Sequence, residues 1–230
     1  MRLKLIERRP EAAGVESFIF ERCNLLEPLM WKAGQFLHYV LHHEPTDDRG
    51  SDRWFTVSAA PYEGHVMLTT RFTPGQGSSL KKALAELEIG SEAMEVSDVD
   101  GDFTVEDPTK EYVFIAGGIG VTPFRSILKQ LDHEGATITA TLIYTNRDSD
   151  FAFKNEFDEL ASRQPGLTIR YLAGEKLDGA KLRELVPDLA TPIFYVSGPE
   201  PMVESFHETL KGMGVAPERL KGDWFPGYLA

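Results

Sequence analysis

The rhythm of hydrophobic and polar positions changes near residue 108. Before it, short runs rich in aromatic and β-branched residues lie at 3–6, 15–20, 36–41, 54–57 and 65–72, separated by clusters of Pro, Gly, Asp and Asn. That pattern predicts strands joined by turns. One helical stretch is expected among them, at 79–87, then a short strand at 93–96 and a turn at 98–102. Closely spaced short strands with a single helix predict a small antiparallel β-barrel. Beyond residue 108, apolar runs at 112–116, 138–144, 167–172 and 192–197 alternate with amphipathic stretches at about 123–132, 152–162, 179–186 and 200–213. A last strand is expected near 219–225. Regular β–α alternation implies a parallel, doubly wound α/β sheet with helices on both faces. The join falls in the polar, proline-containing stretch 106–110, giving two domains, 1–108 and 109–230.

Composition sets the class. With 42% hydrophobic and 26% charged residues, the 230-residue chain is expected to be a globular protein with an ample core. No apolar run reaches the roughly 18 residues of a membrane span. The first ten residues mix charges into their apolar pattern and read as a strand, not a leader. The formal charge of −12 argues against nucleic acid and anionic membrane surfaces as partners. Both halves share it: residues 1–108 carry 19 acidic against 11 basic side chains, the remainder 17 against 13. Cys23, the sole cysteine, excludes an internal disulfide or a four-thiolate cluster, so no metal site and a cytoplasmic compartment are expected. The six histidines, including the adjacent His42 and His43, read as structural or solvated, and the acidic loop 44–52 as solvated.

The most informative stretch is Gly117-Gly118-Ile119-Gly120-Val121-Thr122-Pro123. It follows the apolar run 112–116 and opens a segment of helical spacing. A buried strand, a glycine-rich turn and a helix start present free backbone N–H groups to a phosphate. The glycines permit a tight turn, Thr122 suits the helix N-cap, and Pro123 suits the first helical turn. The dehydrogenase fingerprint Gly-x-Gly-x-x-Gly is not met, because Pro123 stands at its third glycine. Taken alone, the stretch also fits an ordinary strand-to-helix turn.

Three further stretches carry chemistry. In Arg53-Trp54-Phe55-Thr56, strand alternation sends Arg53 and Phe55 to one face and Thr56 to the other. An arginine beside an aromatic can hold a phosphate and stack on a flat ring; an edge strand with a surface arginine fits as well. Gly75-Gln76-Gly77-Ser78-Ser79 leads into a helix and offers a second phosphate seat or a serine cap. Ser197-Gly198-Pro199-Glu200-Pro201-Met202 follows the apolar run 192–197, with Ser197 at the carboxyl end of a strand, where open α/β sheets place ligands.

In this order, the four stretches resemble the ferredoxin–NADP reductase family over essentially the whole chain. Arg53-Trp54-Phe55-Thr56 is similar to that family's Arg-x-Tyr-Ser flavin motif, and Gly75-Gln76-Gly77-Ser78 to its Gly-x-x-Ser turn. Gly117 to Pro123 matches its Gly-Gly-x-Gly-x-Thr-Pro motif without exception. Ser197 to Met202 resembles its Cys-Gly-Pro-x-x-Met motif. The resemblance implies an FAD-binding barrel and an NAD(P)-binding α/β domain, with hydride passing between NADPH or NADH and FAD and electrons going on to an acceptor. It places Arg53 on the flavin diphosphate with Gly77, Ser78 and Ser79, Phe55 and Trp54 at the flavin, and Thr70 and Arg71 along it. Thr56 and Ser197 take the catalytic positions. Gly117, Gly118, Gly120, Thr122 and Pro123 cradle the nucleotide, with Gly198, Pro199 and Met202 in the facing turn. A C-terminal aromatic, Trp224, Phe225 or Tyr228, is expected over the flavin or pinned to the surface.

Two positions depart from the pattern. Phe55 and Thr56 replace Tyr and Ser, which keeps the ring and a hydroxyl. Ser197 replaces Cys, which removes a polarisable sulfur. Arg147, after the second sheet strand, suits a ribose 2′-phosphate and so NADPH, although Asp148 and Asp150 flank it. Acidic ferredoxins call for a basic face, and the sequence offers only Arg8-Arg9 and Lys81-Lys82. A partner subunit or a small molecule is therefore as good an acceptor as ferredoxin. A flavin-free dehydrogenase and a nucleotide-sensing regulatory subunit are the alternatives.

Overall fold

The computed structural model describes residues 1–73, 75 and 77–225, leaving out the Phe225 side chain. The chain divides into two compact units, Met1–Thr104 and Val105–Ala230.

In the first unit, β1 (Arg2–Ala12) and β2 (Val15–Arg22) form a hairpin, followed by β3 (Phe36–Leu41), β4 (Asp52–Thr56), β5 (Val66–Arg71), helix α1 (Ser79–Glu86) and β6 (Met94–Asp100). Among the described residues these strands make a six-stranded antiparallel sheet in the order β4-β3-β6-β1-β2-β5. An antiparallel bridge between Val57 and Leu68 links the two outermost strands and closes it into a barrel. The core is the alternating inward set, including Leu3, Leu5, Phe18, Leu37 and Tyr39.

Two elements run further than their apolar pattern predicts. β1 extends through the charged Glu7-Arg8-Arg9 to Ala12, because the two-residue turn at Ala13-Gly14 pairs it with β2 throughout. Gly14 has φ +68°, and a Cβ there would lie 2.8 Å from the Phe72 carbonyl oxygen, so only glycine fits this turn. β6 continues to Asp100, through part of the expected turn 98–102. The polar Ser97-Asp98 is absorbed in a register shift between Leu37 and Tyr39, where two residues of β6 face the single His38 of β3.

The second unit alternates β7 (Glu111–Gly117), α2 (Thr122–His133), β8 (Thr139–Asn146), α3 (Lys154–Arg163), β9 (Leu167–Ala173), α4 (Gly179–Leu185), β10 (Ile193–Pro199), α5 (Glu200–Gly212) and β11 (Leu220–Phe225). Its sheet is parallel, in the order β11-β10-β7-β8-β9. The chain winds outward from β7 through β8 to β9, then returns to place β10 on the other side of β7. The winding therefore reverses between β7 and β10, and the carboxyl ends of those two strands form the crevice where such sheets bind ligands. The central strands are buried on both faces, which explains their unbroken apolar runs. Val113, Ile115, Ile143, Phe194 and Val196 pack there with Leu182 and Leu210 from the helices.

Candidate functional site

At the reversal point, the turns after β7 and β10 interlock. A Cβ on Gly117 would run into the Met202 sulfur and lie 3.3 Å from Pro199 Cδ. One on Gly120 would run into the Ser197 carbonyl and lie 2.7 Å from Gly198 Cα. Two of the three signature glycines therefore serve the packing of one turn on the other. Gly118 differs: φ is +53°, and a Cβ there would meet nothing within 4 Å. It is the open position of the turn. Gly117, Gly120, Ser197, Gly198, Pro199 and Met202 are thus brought together by strand register, since Ser197 pairs with Ala116 across β10 and β7.

Thr122 departs from expectation. A 3₁₀ turn, Gly118–Val121, runs directly into α2, so Val121 occupies the cap position and Thr122 is already helical. With helical geometry on both sides there is no extended residue to cap. The Thr122 hydroxyl instead donates to the Ile119 carbonyl at 3.1 Å, fixing the turn. Pro123 sits in the first helical turn.

Ser197 is fully buried. Its hydroxyl donates to Asp223 Oδ2 at 3.4 Å, across the β10–β11 register that pairs the two residues. Nothing in the local sequence marks Asp223; only the parallel register of the last strand brings it to Ser197. Trp224, half exposed, stands opposite Gly198. The Phe225 side chain and Tyr228 lie outside the described residues. Arg147 is exposed just past β8. Beside it, Asp148 Oδ1 accepts from Asn146 Nδ2 at 3.1 Å and from the Asp150 N–H at 3.0 Å, so that carboxylate organises its own loop.

In the barrel, β4 alternates as expected. Arg53 pairs with Tyr39 and Phe55 with Leu37, on one face, and the Phe55 ring meets Tyr39 edge-on at 5.8 Å. Trp54 lies on the other face against Phe36 and His38, 46% exposed. Thr56 is only 3% exposed, yet its hydroxyl has no hydrogen-bond partner among the described residues. A buried hydroxyl without a partner costs about 1–3 kcal/mol, so this one is poised for a partner from outside the chain. Thr70 is buried in β5 beside half-buried Arg71, whose carbonyl accepts from Lys81 Nζ at 2.9 Å. Ser78 is the N-cap of α1; its hydroxyl accepts the Lys81 N–H at 3.3 Å, and Gly77 precedes it with φ +147°.

Arg53 and Ser79 converge, but on a residue of the chain itself. Asp47, in the loop between β3 and β4, accepts the Ser79 N–H through Oδ2 at 2.8 Å and lies 3.4 Å from Arg53 Nη2 through Oδ1. The Arg53 guanidinium also donates to the carbonyls of Arg49, at 2.5 Å, and of Asp52. The acidic loop is therefore not simply solvated, as its composition suggested. The Ser79 N–H, then the Arg49 N–H and the two guanidinium groups, hold the Asp47 carboxyl down to about 2.

The basic pair of β1 is also committed. Arg8 binds Glu16 through two contacts of 2.8 and 2.9 Å and donates to the carbonyls of Ala85 and Leu87, capping the end of α1. Arg9 pairs with Glu7 at 2.9 Å. Among the described residues, no helix is long and apolar enough to cross a membrane, and no group of three or more His, Cys, Asp or Glu is placed to hold a metal ion.

Residues 114–208 match the oxidoreductase NAD-binding domain family. The chain is 21% identical to the flavohem-like FAD/NAD binding domain of nitric oxide dioxygenase from Vibrio cholerae, covering 97% of this chain and 98% of that one with a TM-score of 0.84. The chain shares the fold of that domain. The cytochrome b5 reductase domain of Ulva prolifera nitrate reductase is similar in the same way, at 22% identity, 96% coverage of each chain and a TM-score of 0.80. By sequence, the flavohemoprotein of Rhodopirellula baltica is 28% identical over 85% of this chain and 53% of its own length. The ferredoxin reductase component of 3-ketosteroid-9-alpha-monooxygenase from Rhodococcus rhodochrous is 26% identical over 94% of this chain and 62% of its own length. The chain thus spans little more than half the length of these curated relatives.

Proposed function

We propose that the chain is a flavoprotein oxidoreductase that passes hydride between NAD(P)H and FAD and hands electrons to an acceptor. Residues 1–108 form its flavin domain and 109–230 its nucleotide domain. The observation that carries this reading is the buried hydroxyl of Thr56, without a partner among the described residues, one residue from the half-buried ring of Phe55, in a chain whose relatives include reductase components. Bound flavin would supply the two-electron acceptor for the nicotinamide and the route to one-electron acceptors. The protein's part is to bind, orient and exclude water. Arg53, Gly77, Ser78 and Ser79 hold the diphosphate, Phe55 and Trp54 border the flavin, Thr70 and Arg71 line it, and Thr56 donates its hydroxyl to the ring edge. The open backbone at Gly118, kept in shape by Gly117, Gly120, Thr122 and Pro123, takes the nucleotide diphosphate. Gly198, Pro199 and Met202 fix the facing turn. Ser197, held by Asp223, meets the nicotinamide.

NADPH is the better substrate in this reading, because the exposed Arg147 offers a guanidinium to a 2′-phosphate while Asp148 is occupied within its loop. The acceptor is a partner subunit or a small molecule in the cytoplasm. An acidic ferredoxin suits the chain less well, since Arg8 and Arg9 are neutralised by Glu16 and Glu7. The test is the visible spectrum of the protein reconstituted with FAD, followed by anaerobic addition of NADPH and of NADH. Bleaching of the flavin bands is expected, faster with NADPH. A protein that takes up no flavin, or that binds it without bleaching, refutes the reading. The second reading, a nucleotide-binding subunit without catalysis, draws on Ser197 in place of cysteine and on Asp47 at the flavin-side donors. It predicts nucleotide binding with no bleaching.

A further inference from the structure

The loop between β3 and β4 puts a carboxylate among the donors that a diphosphate needs. Asp47 is gripped reciprocally by Ser79, 32 residues away: its carboxylate accepts the Ser79 N–H at 2.8 Å, and its own N–H donates to Ser79 Oγ at 2.9 Å. The Arg49 N–H reaches Oδ1 at 3.0 Å, Arg49 Nη2 reaches Oδ2 at 3.4 Å, and Arg53 Nη2 reaches Oδ1 at 3.4 Å. The loop closes behind it with the Gly50 N–H on the Asp47 carbonyl at 3.1 Å. A helix-start N–H, a neighbouring hydroxyl and arginine are the donor set of a phosphate oxygen. A carboxylate and a diphosphate are both anions, so they cannot share it. Asp47 stays about a quarter exposed, which leaves the contact open to displacement from solvent.

We propose that Asp47 is a built-in competitor for the flavin diphosphate: in the flavin-free chain the β3–β4 loop latches onto Ser79 and Arg53, and FAD binds only as the loop lets go. This rests on the flavin reading given above. The carboxylate keeps its charge at every pH at which the protein would work, so the latch responds to anions and not to protons in that range. The apparent FAD affinity is then the intrinsic one reduced by the fraction of unlatched chain. Flavins without phosphate escape this competition.

The test compares the full flavin-free chain with Asp47→Asn, which keeps an acceptor for the Ser79 N–H while removing the charge. FAD binding is followed by fluorescence quenching and stopped flow, with riboflavin as the phosphate-free control. Asp47→Asn is expected to bind FAD on the order of tenfold more tightly and faster, to leave riboflavin affinity unchanged, and to take up inorganic pyrophosphate at concentrations the parent ignores. Equal or weaker FAD binding by Asp47→Asn overturns the latch and makes Asp47 an organiser of the seat. A measurement on the unmodified protein covers a variant that does not fold: amide exchange at Asp47 should speed up on saturation with FAD, and slowing there overturns the proposal. If neither protein binds FAD or riboflavin, the flavin reading fails and the latch with it.

Discussion

In the function proposed above, the two units build their anion seats from different materials. After β7, the seat is backbone: Gly118 lies open, and the turn is held by glycine contacts against Ser197 and Gly198 that admit no side chain. At the start of α1, the seat is assembled from side-chain charge and a helix terminus, and Asp47 already sits in it. A seat set by steric fit holds its shape with or without a ligand. A seat set by charge attracts whatever anion is nearest, including one from its own chain. The first kind is broken by volume and the second by charge, which orders the experiments.

The largest effect is expected from Gly120→Ala. The added methyl must displace the Ser197 carbonyl and Gly198, main-chain atoms of the central strand β10. Overpacking of that kind costs about 3 kcal/mol or more, read as a fall in the thermal midpoint together with lost nucleotide binding. Near-normal stability would mean the turns are not interlocked. Next is Arg53→Gln on the flavin side. Loss of a charged hydrogen bond to a phosphate is worth about 1.5–3 kcal/mol, or roughly ten- to a hundredfold in FAD affinity, with no comparable change for riboflavin.

Gly118→Ala separates fold from binding in the open turn. A non-glycine residue at positive φ costs about 1 kcal/mol, so the fold should survive. Nucleotide affinity should fall by more than that cost implies, as titration against the parent would reveal. Ser197→Cys restores the sulfur without opening space. It should speed anaerobic flavin reduction several-fold while leaving nucleotide affinity within about twofold; an unchanged rate would mean the serine is no handicap. The smallest effect concerns pH. The Asp47 carboxyl is depressed in the folded chain from 3.8 to about 2. Its contribution to loop anchoring is therefore complete above the unfolded value and is lost as pH falls through the folded one. Carboxyl NMR of Asp47 should show that depressed titration, and Ser79→Ala, which leaves the main-chain donor in place, should move it little.

Much of the architecture can be read along the chain because it is written in local periodicity. The alternation of β3 and β4, the unbroken apolar runs of β7 and β10, and the glycines after β7 each carry their own explanation within about ten residues. The ends of elements were less legible. β1 and β6 ran on through charged residues because a neighbouring strand, not their own hydrophobicity, supplied the pairing. Thr122 looked like a cap only because the 3₁₀ turn before it leaves no trace in composition.

What the sequence determined by itself is the kind of element at each position and the residue types at the turns, since these follow from side-chain period and backbone sterics acting over a few neighbours. Tertiary structure alone decided which distant groups meet: Asp47 with Ser79 and Arg53, Ser197 with Asp223, Gly117 with Met202. Those meetings depend on strand register and loop closure, whose energies are summed over whole sheets, so no local window of sequence contains them.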